Sequence, residues 1–419
     1  MVHRNRRNFL TAGVGMALGP LIITNAVKVS ANERVQHAVI GTGGQGSGHV
    51  REFSQLEGCR VTAVCDVDSN RLAKAARSLP EAGKVRQVED YRRILEDSSI
   101  DTVSIATPDH WHSKIAIEAI QAGKHVYVEK PCSHNIQESE WLLQAAEKHA
   151  KCVQHGTQSR SGKGIQDAVQ FMREGGLGKV RLAKAINHQF RRPIGSKPVS
   201  TPPEGVNYDL WLGPAPEHPF TENRWHYNWH WFWDYGTGDM GNDGIHQVDV
   251  ARWGLGGSKP NAVSAAGGQL LYQDDHQTPD TQIITFEFHD CYLVYEMRLW
   301  TDYKMEGHDN GTVFYGDRGR LDIGREGCIL TLIDEEPRKI GGGSDFGENI
   351  RNFITCVKNN TPEKLNAPVS EGVLSANLCH WGNIATRISQ RIDLTRELTP
   401  EAAQLVCRDY RQGYEIPEV

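Results

Sequence analysis

The chain has 419 residues, and its 46 Lys and Arg against 52 Asp and Glu give a formal net charge of −6. Beyond the first few residues it has no basic tract that could neutralise a phosphate backbone, so we expect no nucleic-acid partner. The length exceeds that of one typical domain and predicts two hydrophobic cores.

The first 31 residues are predicted to be a twin-arginine export signal. The motif Arg6-Arg7-Asn8-Phe9-Leu10 precedes an apolar stretch that contains Gly19 and Pro20, and a run of small residues ends at Ala31. The alternative, a membrane anchor, is less favoured because this stretch is shorter than the ~20 apolar residues of a spanning helix. Without residues 1–31 the formal charge becomes −10, and we expect a periplasmic protein that is free of the membrane.

A glycine-rich turn follows the first predicted strand of the mature chain, residues 35–40. The glycines of Gly41-Thr42-Gly43-Gly44-Gln45-Gly46 match the G-x-G-x-x-G spacing, and a predicted helix over residues 47–56 follows them. In that motif the first glycine permits a tight turn, the second lets a pyrophosphate approach, and the third lets helix and strand pack closely. We therefore predict dinucleotide binding at Gly41, Gly43, Gly44, Gln45 and Gly46. The alternative is a glycine-rich turn that binds nothing.

Asp66 predicts which dinucleotide binds. It stands at the end of the second predicted strand, residues 60–65. An acidic side chain at this distance from the glycine turn accepts hydrogen bonds from a ribose 2′-hydroxyl, and its charge repels a 2′-phosphate. The predicted cofactor is therefore NAD.

The next elements alternate along the chain, with helices at 69–79, 89–96 and 113–121 and strands at 85–88, 102–106, 125–128 and 151–156. This alternation predicts a parallel, doubly wound sheet, whose ligands bind beyond the carboxyl ends of the strands. Two such ends carry Thr107-Pro108-Asp109-His110-Trp111-His112 and Glu129-Lys130-Pro131. Lys130 is there either a proton-transfer group or a solvated loop lysine.

Together, the glycine turn, Asp66, Thr107-Pro108-x-x-x-His112 and Glu129-Lys130-Pro131 resemble the Gfo/Idh/MocA oxidoreductases, the family of glucose–fructose oxidoreductase and inositol dehydrogenase. The resemblance implies an α/β fold with an N-terminal Rossmann domain for NAD, residues 32–156. It also implies a C-terminal α/β domain with a large open, mostly antiparallel sheet, residues 157–419, for substrate binding and oligomerisation. By the same resemblance Lys130 is the catalytic lysine, and Thr107, Pro108 and Glu129 line the nicotinamide side. We add His110 and His112 to this predicted cofactor site.

A dense aromatic segment, residues 225–235, follows a Pro- and Gly-rich loop over residues 195–222. Flat aromatic faces beside polar edges suit a carbohydrate, although a subunit interface or a core ridge has the same composition. His226 and His230 have a spacing that metal ligands use, but no acidic ligand accompanies them, and we predict no metal. The predicted substrate-binding residues are Arg160, His188, Arg191, Trp231 and Tyr235.

A polar cluster begins the helix that is predicted to run through Trp253. At helical spacing Asn242 and Asp243 lie close to His246 on one face. A histidine held by such neighbours is an acid–base arrangement; the alternative is a histidine that only caps or packs. The family pattern here is Asp-x-x-x-His, and Asn242 departs from it. Because an amide is not a base, Asp243 or Lys130 is expected to titrate in its place. The predicted catalytic residues are thus Lys130, Asn242, Asp243 and His246.

The remainder is predicted to form antiparallel strands at 261–269, 281–288, 292–300, 312–315, 319–323 and 328–333, with helices at 346–358 and 372–388. The open sheet favours a homo-oligomer, a dimer or a tetramer. Nine scattered cysteines without a CxxC pair predict neither a disulfide framework nor a zinc site.

These features predict an exported NAD-dependent enzyme that oxidises a carbohydrate hydroxyl, with Lys130 and His246 handling the proton. An exported enzyme has no pool of nicotinamide to exchange with, so we expect a tightly bound cofactor that is used repeatedly. Two closed cycles fit: sugar–sugar oxidoreduction, or redox-neutral cleavage or epimerisation of a glycoside, as in family members that are NAD-dependent glycosidases. The alternatives are an ordinary NAD-dependent sugar or inositol dehydrogenase and, from another class, a non-catalytic sugar-binding protein.

Overall fold

The computed structural model describes residues 34–257 and 259–419, so the predicted export signal lies outside the described residues. Two sheets organise the chain. The strands of the first sheet are β1 (Val35–Ile40), β2 (Cys59–Cys65), β3 (Arg86–Val88), β4 (Thr102–Ile105), β5 (His125–Val128) and β6 (Val153–His155). They pair in the order β3-β2-β1-β4-β5-β6, and every pair is parallel.

Helices connect these strands, and they are α1 (Gly44–Gln55), α2 (Ser69–Arg77), α3 (Arg92–Leu95), α4 (Asp109–Gln121) and α5 (Ile136–His149). Helix α5, whose first turn is capped by the side chain of Asn135, was not predicted from the sequence. Helix α4 begins at Asp109 rather than at Ser113 as predicted, and α1 begins within the glycine turn. The strand order reverses between β1 and β4, so a crevice opens beyond their carboxyl ends.

The second sheet has nine strands, which are β7 (Val180–Asn187), β8 (Ala262–Gly268), β9 (Thr281–Glu287), β10 (Tyr292–Arg298), β11 (Asn310–Gly316), β12 (Gly319–Gly324), β13 (Gly327–Leu332), β14 (Arg338–Gly341) and β15 (Ile392–Asp393). They pair in the order β14-β13-β12-β11-β7-β10-β9-β8-β15. Within the described strands of this second sheet, only the β10–β7 pair is parallel. The predicted fold class, a Rossmann domain followed by a mostly antiparallel sheet, is confirmed.

The remaining helices are α6 (Lys163–Arg173), α7 (Tyr208–Leu212), α8 (Ile245–Leu255), α9 (Phe346–Asn359), α10 (Val369–Ile388) and α11 (Pro400–Ala403). Strands β9 and β10 alternate in burial along the chain. Ile284, Phe286 and Tyr295 are fully buried on the face that packs against α8 and α10, whereas Ile283 and Tyr292 on the other face are half exposed.

Helix α9 lies outside the core of the domain to which the sequence analysis assigned it. Its residues Ile350 and Phe353 are buried with Val39, Phe53 and Tyr127 in the core of the first sheet. The Tyr127 hydroxyl also donates a 2.8 Å hydrogen bond to Oδ1 of Asn349. The predicted division at residues 156 and 157 therefore follows the order of the chain but not the packing of this helix.

All nine cysteines are unpaired, and Cys407 alone among them is exposed. Among residues 34–257 and 259–419, no helix combines the length and the apolar character that crossing a membrane requires.

Candidate active site

A cavity of about 440 Å³ opens at the strand-order reversal of the first sheet. The first domain contributes the glycine turn and the segments that follow β2, β4 and β5. The second domain contributes the aromatic segment and the turn that precedes α8. The cavity therefore lies between the predicted cofactor site and residues of the second domain.

The glycine turn has the shape that a dinucleotide needs. Gly41 has a φ of +81°, and a Cβ there would lie 2.7 Å from the carbonyl oxygen of Ala106. A Cβ on Gly46 would overlap the carbonyl oxygen of Gly41, so helix α1 packs closely on β1. Gly43, Gly44 and Gln45 line the cavity with Gly41, whereas Gly46 has this packing role and does not line it. The amino end of α1 therefore faces the crevice, as a pyrophosphate requires.

Asp66 is held at the end of β2 by the neighbouring backbone. Its carboxylate accepts from the amide and hydroxyl of Thr42 at 2.7 and 3.0 Å and from the amide of Asp68 at 3.0 Å. Burial raises the pKa of Asp66, and these hydrogen bonds oppose the rise. Its carboxylate lines the cavity where a ribose hydroxyl would be recognised.

Arg71 is a cavity residue that the sequence analysis missed. Its guanidinium lies where a Cβ on Gly43 would stand, and its Nε is 3.7 Å from the carboxylate of Asp68. A cation over the glycine turn complements the charge of a pyrophosphate. Arg71 follows Asp66 by five residues and lies on the first turn of α2, and this spacing is the sequence signal for its position.

Glu129 is a buried carboxylate at the end of β5. It accepts from Nε2 of Gln45 at 3.0 Å and lies 2.9 Å from Nε2 of His49. Burial raises the pKa of Glu129, but the hydrogen bonds and the charge of Lys130 outweigh burial and hold it at about 2. Nearby, the buried hydroxyl of Thr107 has no hydrogen-bond partner among the described residues and is free to meet a ligand. The residues present therefore fit a nicotinamide dinucleotide.

The two predicted cofactor histidines differ in position. His112 lines the cavity, with Nδ1 2.6 Å from the carbonyl oxygen of Pro131 and Nε2 2.8 Å from that of Thr107. Burial lowers the pKa of His112, so its neutral ring donates to one of these carbonyls and ties the β4 and β5 loops together. His110 does not line the cavity: it is fully buried, and its Nε2 lies 3.0 Å from the carbonyl oxygen of Trp211. The prediction for His110 is wrong because α4 begins at Asp109, which turns His110 away from the crevice.

Lys130 spans the two domains. Its Nζ donates to the carbonyl oxygen of Asn242 at 2.8 Å and lies 3.3 Å from Oδ1 of the same residue. His246 lines the same cavity. Burial, and then the charge of Lys130, lower the pKa of His246 to about 4, so its imidazole is neutral at neutral pH. An amine and a neutral imidazole thus line the same cavity, and both are groups that can transfer a proton.

The two polar residues predicted to hold His246 have other partners. Nδ2 of Asn242 donates to Oδ1 of Asp239 at 2.9 Å, and Asp243 forms an ion pair with Arg191. The reason is a π-helical turn over Met240–Gly244, whose wider spacing displaces the i, i+4 relationship that was assumed. Asn242 orients Lys130, and the carboxylate of Asp243 is occupied, so the prediction that either residue holds His246 is wrong.

The aromatic segment contributes to the second-domain side of the cavity. Trp225, Tyr227, Trp229 and His230 line the cavity. His230 stacks on Trp229 with ring centroids 3.6 Å apart, and its Nδ1 donates to the carbonyl oxygen of Tyr227 at 2.5 Å. Burial lowers the pKa of His230 to about 3. Its ring is therefore neutral, with a free lone pair on Nε2.

The predicted substrate-binding residues do not line this cavity. Tyr235 is fully buried against Trp211, and His188 is fully buried beside Arg298. Trp231 is also buried, because a 3₁₀ turn over Asn228–Trp231 directs its neighbours Tyr227 and Trp229, and not Trp231, toward the cofactor side.

The prediction that Arg160 binds the substrate is also wrong, because its guanidinium is buried and paired with carboxylates of the protein. Its guanidinium bonds to the carboxylate of Asp249 at 2.9 Å and lies 3.1 Å from that of Glu371, and only 4% of its side chain is exposed. Arg191 bonds to Asp239 at 3.2 Å as well as to Asp243, and it lines a second cavity with Trp231.

Other missed cavity residues are Asp68, Asp109, Gln158, Trp211 and His226. His226 has a left-handed backbone with a φ of 57°, and its Nε2 lies 3.7 Å from the carboxylate of Asp68. No sequence motif predicts this contact, because it joins two distant segments of the chain.

The fold and this site define a dinucleotide-binding oxidoreductase. A sequence profile described as "Oxidoreductase family, NAD-binding Rossmann fold" matches residues 35–157, and its companion, "C-terminal alpha/beta domain", matches residues 194–415. The chain belongs to the Gfo/Idh/MocA oxidoreductase family. The predicted family and the predicted NAD cofactor are confirmed.

Curated relatives match this chain over part of their length. Glycosyl hydrolase family 109 protein 2 of Shewanella sp. (strain ANA-3) is 40% identical over 121 residues, which are 27% of this chain and 26% of that protein. Across eight such relatives, this chain spans between 26% and 47% of their length.

Solved structures match nearly the whole fold. The WlbA dehydrogenase from Bordetella pertussis, in complex with NADH and UDP-GlcNAcA, has a TM-score of 0.66 at 19% identity and covers 87% of this chain and 100% of its own. Levoglucosan dehydrogenase in complex with NADH has a TM-score of 0.67 at 17% identity and covers 86% of this chain and 99% of its own. At these identities the likeness shows the fold.

Proposed function

We propose that this protein is an exported enzyme that oxidises a sugar hydroxyl with a retained NAD and uses that NAD repeatedly, in redox-neutral cleavage or epimerisation of a glycoside. The observation that carries the proposal is that Lys130, His246 and the aromatic segment line one cavity with the cofactor turn. Bound NAD supplies a hydride acceptor for the carbon of the sugar.

The chain itself handles the proton. Two oxygens of Asn242 fix Nζ of Lys130, and the neutral amine form takes the proton of the sugar hydroxyl as its carbon is oxidised. The neutral imidazole of His246 accepts a hydrogen bond from the same region of the sugar. Removal of a proton and a hydride leaves a ketone.

The ketone makes the neighbouring C–H acidic. Loss of that proton breaks the bond from the next carbon to the glycosidic oxygen, which takes up a proton and leaves as an alcohol. Addition of water to the resulting double bond and return of the hydride give the free sugar, so the net reaction is hydrolysis. This route needs a second base for the C–H proton. His230, a neutral imidazole with its Nδ1 hydrogen already engaged, lines the same cavity and fills that role.

A carbohydrate substrate is supported by the chemistry of the cavity and by the named relatives. Aromatic faces beside polar edges match the C–H faces and hydroxyls of sugar rings. The curated relative is named a glycosyl hydrolase, and the structural neighbours hold UDP-GlcNAcA or act on levoglucosan by name.

Retention of NAD is supported by contacts at the adenosine end of the site. The amide of Ser69 donates to the carbonyl oxygen of Gly205 at 2.9 Å, and the amide of Asn207 donates to that of Val67 at 2.9 Å. The loop over residues 195–222 therefore closes over the end of β2. The contact of His226 with Asp68 adds a second link there. Together with the predicted export signal, this enclosure favours a cofactor that is loaded once and kept.

The test uses purified full-length protein with no added nicotinamide. We expect denaturation to release about one NAD per chain, and we expect p-nitrophenyl glycosides of common neutral sugars to be cleaved without accumulation of NADH. In D2O the released sugar should carry deuterium at the carbon beside the oxidised one. Protein isolated without NAD, which accumulates NADH mole for mole with an oxidised sugar, would instead be an ordinary dehydrogenase. Transfer of hydride from one sugar to another, without incorporation of deuterium, would favour sugar–sugar oxidoreduction.

A further inference from the structure

A second cavity of about 470 Å³ adjoins the candidate active site. Tyr227 lines both cavities, and its side chain is half exposed. A substrate that is longer than one sugar ring and leaves the first cavity past Tyr227 would enter the second.

The second cavity is lined by more basic than acidic residues, although the chain as a whole has a net negative charge. Its lining includes Arg191, Arg192 and Lys197 against one carboxylate, that of Glu222. Lys197 is 3.2 Å from Glu222, and Arg191 bonds to two aspartates behind the wall. Within residues 34–257 and 259–419, no carboxylate lies within ion-pair distance of Arg192. One exposed cation at the cavity rim is therefore available to a ligand.

The other lining groups suit a sugar ring. Tyr227 presents aromatic surface and Asn228 presents an amide, whereas Trp231 and Asn223 are buried behind them. Nδ2 of Asn223 is bonded to Gly195 and Asp275, so that wall is fixed before a ligand arrives. The aromatic face of Tyr227, the amide of Asn228 and the unpaired Arg192 together match a sugar that bears an anionic group.

We propose that the second cavity binds an anionic sugar unit, a uronic acid or a sulfated sugar, linked to the ring that reacts in the first cavity. This assignment rests on the proposed function, because it places the sugar beside the reacting ring. Arg192 is a specificity-determining residue that bonds to the carboxylate or sulfate of that unit. The substrate class is therefore an acidic glycoside.

The experiment compares binding to the NAD-loaded protein by calorimetry. The probes are glucuronate, galacturonate and galactose 6-sulfate, with glucose and galactose as neutral partners and inorganic sulfate as an anion without a ring. We expect at least one acidic sugar to bind roughly tenfold or more tightly than its neutral partner, which is the usual contribution of a hydrogen bond to a charged group. Arg192→Gln should abolish this preference. Arg77→Gln, which removes an exposed arginine from α2, should leave it unchanged.

Equal affinity for acidic and neutral sugars, or a preference that survives in Arg192→Gln, would overturn the proposal. So would inorganic sulfate binding as tightly as the acidic sugars, because the cavity would then recognise an anion and not a sugar. The relative affinities of the carboxylated and sulfated probes identify the anionic group. Calorimetry needs no hydride transfer, so a protein that passes this test but never reduces its NAD would contradict the proposed function separately.

Discussion

Lys130, at the end of β5, donates a 2.8 Å hydrogen bond from Nζ to the backbone carbonyl oxygen of Asn242, in the π-helical turn of the second domain. The bond fixes the amine across the domain boundary. Because the acceptor is a backbone atom, this part of the positioning does not depend on the departure of residue 242 from the family's aspartate.

The first prediction concerns chemistry. Lys130→Ala or His246→Ala should lower turnover by roughly 10²–10⁴-fold, the usual contribution of a general acid–base group. The NAD content of the purified protein should change little, since neither side chain is needed to shape the glycine turn. Turnover and released NAD are measured on the same preparations. Lys148→Ala, an exposed lysine on α5, is the matched control, and full activity in both active-site variants would refute the assignment.

The second prediction concerns cofactor choice. Asp66→Ala should weaken NAD binding and relax the preference for NAD over NADP, because a carboxylate that repels a 2′-phosphate is lost and Arg71 remains nearby. Affinities of the cofactor-free protein for both dinucleotides measure this. Tighter binding of NADP than NAD by the unmodified protein would mean that Asp66 does not face the ribose.

The third prediction concerns the buried acid Asp109. Thr237 Oγ1 donates to its Oδ2 at 2.8 Å, and burial raises the pKa of Asp109 to about 7 although this bond opposes the rise. Between its ordinary value of 3.8 and about 7, the folded chain holds a proton that the unfolded chain releases. The free energy of unfolding therefore falls as pH rises through this window.

Asp109→Asn keeps an acceptor for Thr237 and cannot ionise. Its stability relative to the unmodified protein should rise from pH 4 to pH 7 and then level off, with a gain on the order of 4 kcal/mol. Urea unfolding at several pH values measures the difference, and Glu335→Gln, at an exposed position, serves as control. A difference that does not vary with pH would show that Asp109 ionises normally.

The fourth prediction concerns the link between His226 and Asp68. His226→Gly removes the ring and suits the left-handed backbone at φ 57°, so the fold should be kept while the link is lost. We expect NAD to dissociate several-fold faster from this variant, as followed by exchange with labelled NAD. His289→Gly, which removes a histidine from a turn of the second sheet, is a control. An unchanged release rate would mean that the loop over residues 195–222 suffices to hold the cofactor.

For a topological reason, the sequence could predict that the residues on the cofactor side lie together. Parallel strands end at one edge of the sheet, so Gly41, Asp66, Thr107 and Lys130 must converge once the strands are identified. The strands of the second sheet could also be predicted from the alternation of apolar and polar residues, because one face of each strand is buried.

The residues on the substrate side of the cavity could not be predicted from the sequence in the same way. The aromatic segment has no regular period, so the sequence does not show that its 3₁₀ turn buries Trp231 and exposes Tyr227. Arg160 looks like a free cation until its partner Asp249, far along the chain, is placed beside it. The π-helical turn before His246 likewise changed a spacing argument that assumed an ordinary helix.

The packing of α9 sets the order in which this protein can be completed during synthesis. Phe53 and Tyr127 are made early, but Phe353, which covers them, leaves the ribosome only near the end of translation. The NAD-binding half therefore keeps an open apolar face until the substrate half has emerged. A gene cut after residue 156 would yield a half-domain that aggregates, and transplanting this NAD-binding module into another enzyme requires residues 346–365 to be moved with it.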